Sequence, residues 1–199
     1  MRHALRVLHD EHLSLGGLLR AILDLLAESR VQGLPPDFGL LRAMLFYIAE
    51  FPEKRHHRHE SELLFPKLRA RHPRLRGVLD RLDEDHRRGD ARVRELEHEL
   101  TAFELVGEAR RDAFERAARR YVDFHLAHIA VEDREILPLA AEALEPEDWD
   151  EIEDAMARDP DPLARAGPDP DYRRLFRLIA FAMTPGRTTV DAHLADTAR

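Results

Sequence analysis

The sequence predicts an all-α protein, an up-down-up-down four-helix bundle with a short C-terminal helical appendage. Three observations predict it. Apolar residues recur at spacings of three and four through four long stretches, glycine and proline clusters break the chain between them, and Ala, Leu, Arg and Glu dominate. Of 199 residues, 44% are apolar, enough for a core, and 35% are charged, with the signs interleaved as on helix surfaces.

In the first stretch Leu5, Leu8, His12, Leu15, Leu19, Ile22 and Leu26 form one seam, interrupted by a histidine. Gly33-Leu34-Pro35-Pro36-Asp37 ends that helix and caps the next. A second helix over about 37–71 buries Leu41, Leu45 and Ile48 and is expected to kink near Pro52. After Arg71-His72-Pro73 the third seam reads Leu75, Leu79, Leu82, His86, Gly89, Val93, Leu96, Leu100 and Phe103. Gly107 marks a turn, and a fourth helix over about 109–143 carries Phe114, Tyr121, Phe124, His128, Val131 and Leu137. Short connections make neighbours antiparallel. Residues 1–144 thus form the bundle and 145–199 the appendage. The appendage comprises a helix over 146–157 with Trp149, Ile152 and Met156, a Pro/Asp-rich loop, an apolar helix near 171–183 and a polar tail.

Composition excludes several classes. The formal net charge of -8 with interleaved signs offers no basic face for nucleic acid. The absence of cysteine removes disulfides, thiolate zinc sites and iron–sulfur clusters, and suits a reducing cytoplasm. The opening MRHALRVLHDEH is charged from residue 2, unlike a secretion signal. No apolar run approaches the roughly 20 residues that span a membrane. A soluble cytoplasmic monomer or weak homodimer is expected.

The seam histidines repeat. A shift of 72 lays His56, Glu60 and Pro66 on His128, Glu132 and Pro138, and a shift of 74 lays Leu8 and His12 on Leu82 and His86. Residues four apart share a helix face, so each His-x-x-x-Glu presents a nitrogen and an oxygen together. In antiparallel helices, positions level with each other lie symmetrically about the turn. The midpoint of His12 and His56 is residue 34, that of His86 and His128 is 107, and that of 58 and 86 is 72; all three fall in predicted turns. Four histidines and two glutamates therefore share one layer. Two carboxylates without a seam Lys or Arg cost several kcal/mol in a core, and their proximity is expected to raise at least one carboxyl pKa. A metal removes that cost; imidazole with carboxylate suits iron, manganese or zinc. Six protein ligands suit two ions bridged by two carboxylates.

The stretches HHRHESELLFPKL and HIAVEDREILPLA, with DEH in the first helix and EDH in the third, resemble the hemerythrin HHE cation-binding domain over about residues 1–143. The resemblance implies a hemerythrin-like bundle holding two Fe ions in an oxo- or hydroxo-bridged di-iron centre. It makes His12, His56, His86 and His128 terminal ligands and Glu60 and Glu132 bridging ones. Oxygen-carrying hemerythrins have a second histidine four residues from the first on helix 3; here those places are Leu82 and Asp90. The pattern is similar to the four-histidine, two-glutamate branch, which includes proteins implicated in repairing iron centres. Four nitrogens, two bridging carboxylates and a bridging oxygen fill about ten of the twelve positions of two octahedral ions.

Neighbouring residues receive plainer expectations. Helical geometry turns His57 and His59 toward solvent, Glu11 and Asp85 toward surface pairs, and Glu62 and Glu135 either toward the surface or behind the ligands as supporting charges. Tyr121 belongs to the core, and His125, one turn before His128, is left open between pocket and elsewhere. Glu53…His56 and Glu95…His98 match a ferritin-like Glu-x-x-His, but Glu95 lies level with about residue 49 and helix 1 offers His12 where a glutamate is required. Three functions remain: a binding protein for O2, NO or a related small ligand, a di-iron oxidoreductase acting on peroxide or NO, and an iron-handling or iron-centre repair protein.

Overall fold

The computed structural model describes residues 2–158 and 173–182. Helix α1 (His3–Gln32) ends at Gly33, whose φ of 65° is the left-handed conformation that glycine adopts at no cost. Asp37 caps α2 (Phe38–Glu50) by accepting from the Leu40 amide. The rod continues to Arg71 through a π-helical turn (Pro52–His56), a short α3 (His57–His59), a second π-helical turn (Glu60–Leu64) and α4 (Phe65–Arg71). The expected kink at Pro52 is thus a π-helical turn, and the chain carries on to 71. Helix α5 (Arg76–Val106) stops at Gly107 with φ 85°. Helix α6 (Arg111–Val131) runs into a third π-helical turn (Glu132–Ile136) and α7 (Leu137–Ala143).

Helix α1 packs on α2 and α6, and α5 packs on the same two, closing a four-rod ring. All described secondary structure is helical. Helix α8 (Pro146–Arg158) buries Trp149, Ile152 and Met156, and its Glu153 accepts from the Ala4 amide at 3.0 Å. Helix α9 (Arg173–Ala182) packs against α2 with Ile179 buried. The Pro/Asp-rich loop and the polar tail lie outside the described residues.

The core is divided in two. One apolar cluster, built around Leu19, Ile22, Leu45, Tyr47, Phe103 and Phe114, fills the end with the 33–37 and 107–110 turns. The other, around Leu8, Phe65, Leu79, Ile136 and Trp149, fills the opposite end. Between them lie His12, His56, Glu60, His86, His128 and Glu132.

Two π-helical turns begin at the glutamates of the repeat. In each, the residue before proline closes a wide bond, Phe65 to the Glu60 carbonyl and Leu137 to the Glu132 carbonyl. Pro66 and Pro138 have no N–H to continue a regular ladder, which favours a local change of turn just ahead of them.

Candidate metal centre

All six predicted side chains come together. His12 Nε2 and His56 Nε2 are 3.0 Å apart, and His86 Nε2 and His128 Nε2 are 2.9 Å apart. Two nitrogens that close gain little from each other, and both point at the same space. Glu60 spans the pairs: Oε1 is 3.7 Å from His12, and Oε2 is 3.3 Å from His56 and 3.5 Å from His86. Glu132 mirrors it, with Oε2 3.4 Å from His12 and Oε1 3.6 Å from His86 and 3.2 Å from His128. The glutamates are fully buried at 0% and 1% exposure. Both Glu60 oxygens and Glu132 Oε1 take part in no hydrogen bond among the described residues. Such orphaned buried oxygens are costly without a cation.

The donors form two groups within 4.8 Å: His12, His56, Glu60 and Glu132, and Glu60, His86, His128 and Glu132. The carboxylates belong to both.

Three of the four outer nitrogens are anchored too. His12 Nδ1 lies 2.8 Å from Asp133, His56 Nδ1 lies 2.8 Å from Glu11, and His86 Nδ1 lies 2.9 Å from the Ser61 hydroxyl, which donates to Asp83. His128 Nδ1 stands 3.6 Å from Asp85, beyond hydrogen-bond reach. A proton held on Nδ1 leaves the Nε2 lone pair facing inward, the arrangement that orients metal-binding imidazoles. Burial pushes His12 and His56 down, but Asp133, Glu60 and Glu132 carry His12 up to about 10, and Glu60 and Glu11 carry His56 up to about 9. Burial and mutual repulsion push the Glu60 carboxyl up, yet the histidines hold both glutamates below the ordinary range. The expected raised carboxyl is therefore corrected: in the metal-free protein, imidazolium charges neutralise the pair.

Other expectations change as well. His57 and His59 are buried, not solvated, because π-helical turns flank them and a wider turn rotates these positions inward. Glu11 is buried against His56 instead of forming a surface pair. Tyr121 is core, but its hydroxyl donates to Glu53 Oε1 at 3.0 Å. Glu53, weighed only as a ferritin-like residue, has a buried carboxylate; its Oε2 is 3.1 Å from His57 Nδ1, and its Oε1 is 3.4 Å from His125 Nε2. Burial opposes its ionisation, but His57, His125 and the Tyr121 hydroxyl together outweigh that and hold its pKa low. Burial pushes His57 down to about 4 and His125 down to about 3, so both stay neutral. His125 thus joins Glu53, not the layer. Glu62, Glu135, Glu95 and His98 are exposed.

A helical bundle with a buried layer of imidazoles sharing two carboxylates defines a cation-binding protein. The family model for the hemerythrin HHE cation binding domain matches residues 1–140, and the chain belongs to that family. No curated protein and no solved structure matches the chain. No described helix is long and apolar enough to cross a membrane.

Proposed function

We propose that the layer holds two iron ions joined by an oxo or hydroxo bridge, and that it binds or reacts there with O2, NO or peroxide. The observation that carries this reading is the sharing of two buried carboxylates by two four-donor groups, with three of the four oxygens outside any hydrogen bond. His12 and His56 would hold one ion, His86 and His128 the other, and Glu60 and Glu132 both. Iron suits imidazole with carboxylate, and a pair of irons supplies electrons to a small ligand. The chain's part is to aim Nε2 lone pairs inward by keeping the ring protons of His12, His56 and His86 on Nδ1, against Asp133, Glu11 and the Ser61 hydroxyl. Apolar clusters on either side keep bulk water out and limit access to small molecules.

Turnover of peroxide or NO as an oxidoreductase is the second reading. The two places one turn from His86 favour it: Leu82 is buried and apolar, and Asp90 is half exposed and paired with Arg94, so neither supplies the donor that the carriers' second histidine would. A cytoplasmic monomer or weak homodimer suits either. Elemental analysis after iron-replete expression should find about two irons per chain; one tightly held ion, or none, would sink the dinuclear reading. Stopped-flow spectra of the reduced protein with O2, NO and peroxide then separate a reversible adduct from turnover.

A further inference from the structure

His57 lies beside the layer but in neither four-donor group. A ring nitrogen of His57 falls within 4.8 Å of one on His86 and one on His128. The His57 and His86 rings stack face to face, centroids 4.0 Å apart and planes within 9°. An imidazole lone pair lies in the ring plane, so two stacked parallel rings cannot both direct lone pairs at one ion. His57 is a wall beside the His86–His128 position, not a fifth ligand.

The state of that wall is set from behind. Glu53 Oε2 faces His57 Nδ1 at 3.1 Å while the Tyr121 hydroxyl donates to the other oxygen. An ionised carboxylate only accepts, so the ring proton is assigned to Nδ1 and Nε2 keeps a free lone pair. Gly89 makes this possible, because a Cβ there would overlap the Glu53 carboxylate.

We propose that His57 selects among small ligands at the His86–His128 ion by accepting a hydrogen bond from them. Ligands that carry a proton, such as hydrogen peroxide and hydroxide, are favoured. Ligands offering only lone pairs, such as O2, NO and azide, are disfavoured. This specificity rests on the two-metal reading above.

The test uses the full chain loaded with iron and oxidised, with azide as the proton-free probe. Azide affinity is read by absorbance titration, and iron content by elemental analysis, for the unaltered chain, His57→Phe and His57→Gln. Phenylalanine removes the acceptor and glutamine can turn an N–H toward the ligand, so both should bind azide about tenfold tighter at full iron content. Glutamine, the smaller change, keeps the test open if phenylalanine prevents folding. Unchanged or weaker azide binding at two irons per chain overturns the inference. Loss of iron in both variants also overturns it, since His57 would then be a ligand. If the unaltered chain itself lacks a pair of irons, the two-metal reading fails first.

Discussion

The His12–His56 half of the layer and the His86–His128 half are copies by sequence, yet their surroundings differ. In the first, both outer nitrogens lie 2.8 Å from carboxylates, those of Asp133 and Glu11. In the second, one meets a serine hydroxyl and the other stands 3.6 Å from Asp85, with His57 stacked on His86 and edge-on to His128. A carboxylate behind an imidazole raises its basicity and fixes its orientation. The first half is built to hold a cation firmly. The second is backed more weakly and walled by a neutral ring, which in the proposed reading makes it the half that takes the small ligand.

The largest effect should come from removing what the halves share. Glu60→Ala takes one carboxylate from both donor groups, and on the proposed di-iron reading iron content should fall from two to below one per chain. Two irons retained in a folded variant would break the picture of shared carboxylates.

Next come the outer anchors. Glu11→Ala should weaken the more tightly held iron by about 10- to 100-fold, whereas Asp85→Ala should change the other by less. Competition with a chelator measures both, and equal losses would erase the asymmetry.

Third is the response to pH without metal. His12 and His56 have folded pKa values raised to about 10 and about 9, above the ordinary 6.5. A raised histidine stabilises the fold fully below its unfolded pKa and loses that contribution as pH rises through the folded value. The lowered glutamates contribute above their ordinary 4.5 and lose it as pH falls further. His57 and His125, lowered to about 4 and about 3, take protons more readily in the unfolded chain and cost stability as pH falls below 6.5. Metal-free protein should therefore melt highest near pH 6.5 and lower toward both pH 5 and pH 9. Metal needs deprotonated imidazoles, so the gap in Tm between loaded and metal-free protein should widen as pH rises. A constant gap would remove these histidines from the site.

The smallest effect concerns the wall alone. Gly89→Ala pushes Glu53 aside and should cost about 1–3 kcal/mol in denaturant unfolding, with iron content unchanged.

The layer was legible because heights in antiparallel helices follow from turn positions, and the three midpoints agree for side chains that do meet. Its surroundings were not, because they depend on turns that are wider than a regular helix. His57 and His59 look solvated on a 3.6-residue wheel, and the π-helical turns bring them in. The available signal was the proline six residues after each glutamate, Pro66 and Pro138. Glu53 was visible only as half of a motif whose partner, Glu95, is exposed. That it instead fills the gap left by Gly89 follows from packing between helices, which no local pattern encodes.

The polar layer also governs cooperativity. It separates two apolar clusters that each span all four rods; among the described residues the larger one holds α2 and is backed by α9, and the smaller one holds α4 and α7 and is backed by α8. With ions in place, the layer ties the ends into one unit. Without them, six side chains that prefer water remain at the waist, and the two ends become separate units of opening. Amide hydrogen exchange should then give one protection class in loaded protein and two in the metal-free chain, with the amides of α4 and α7 released before those of α2.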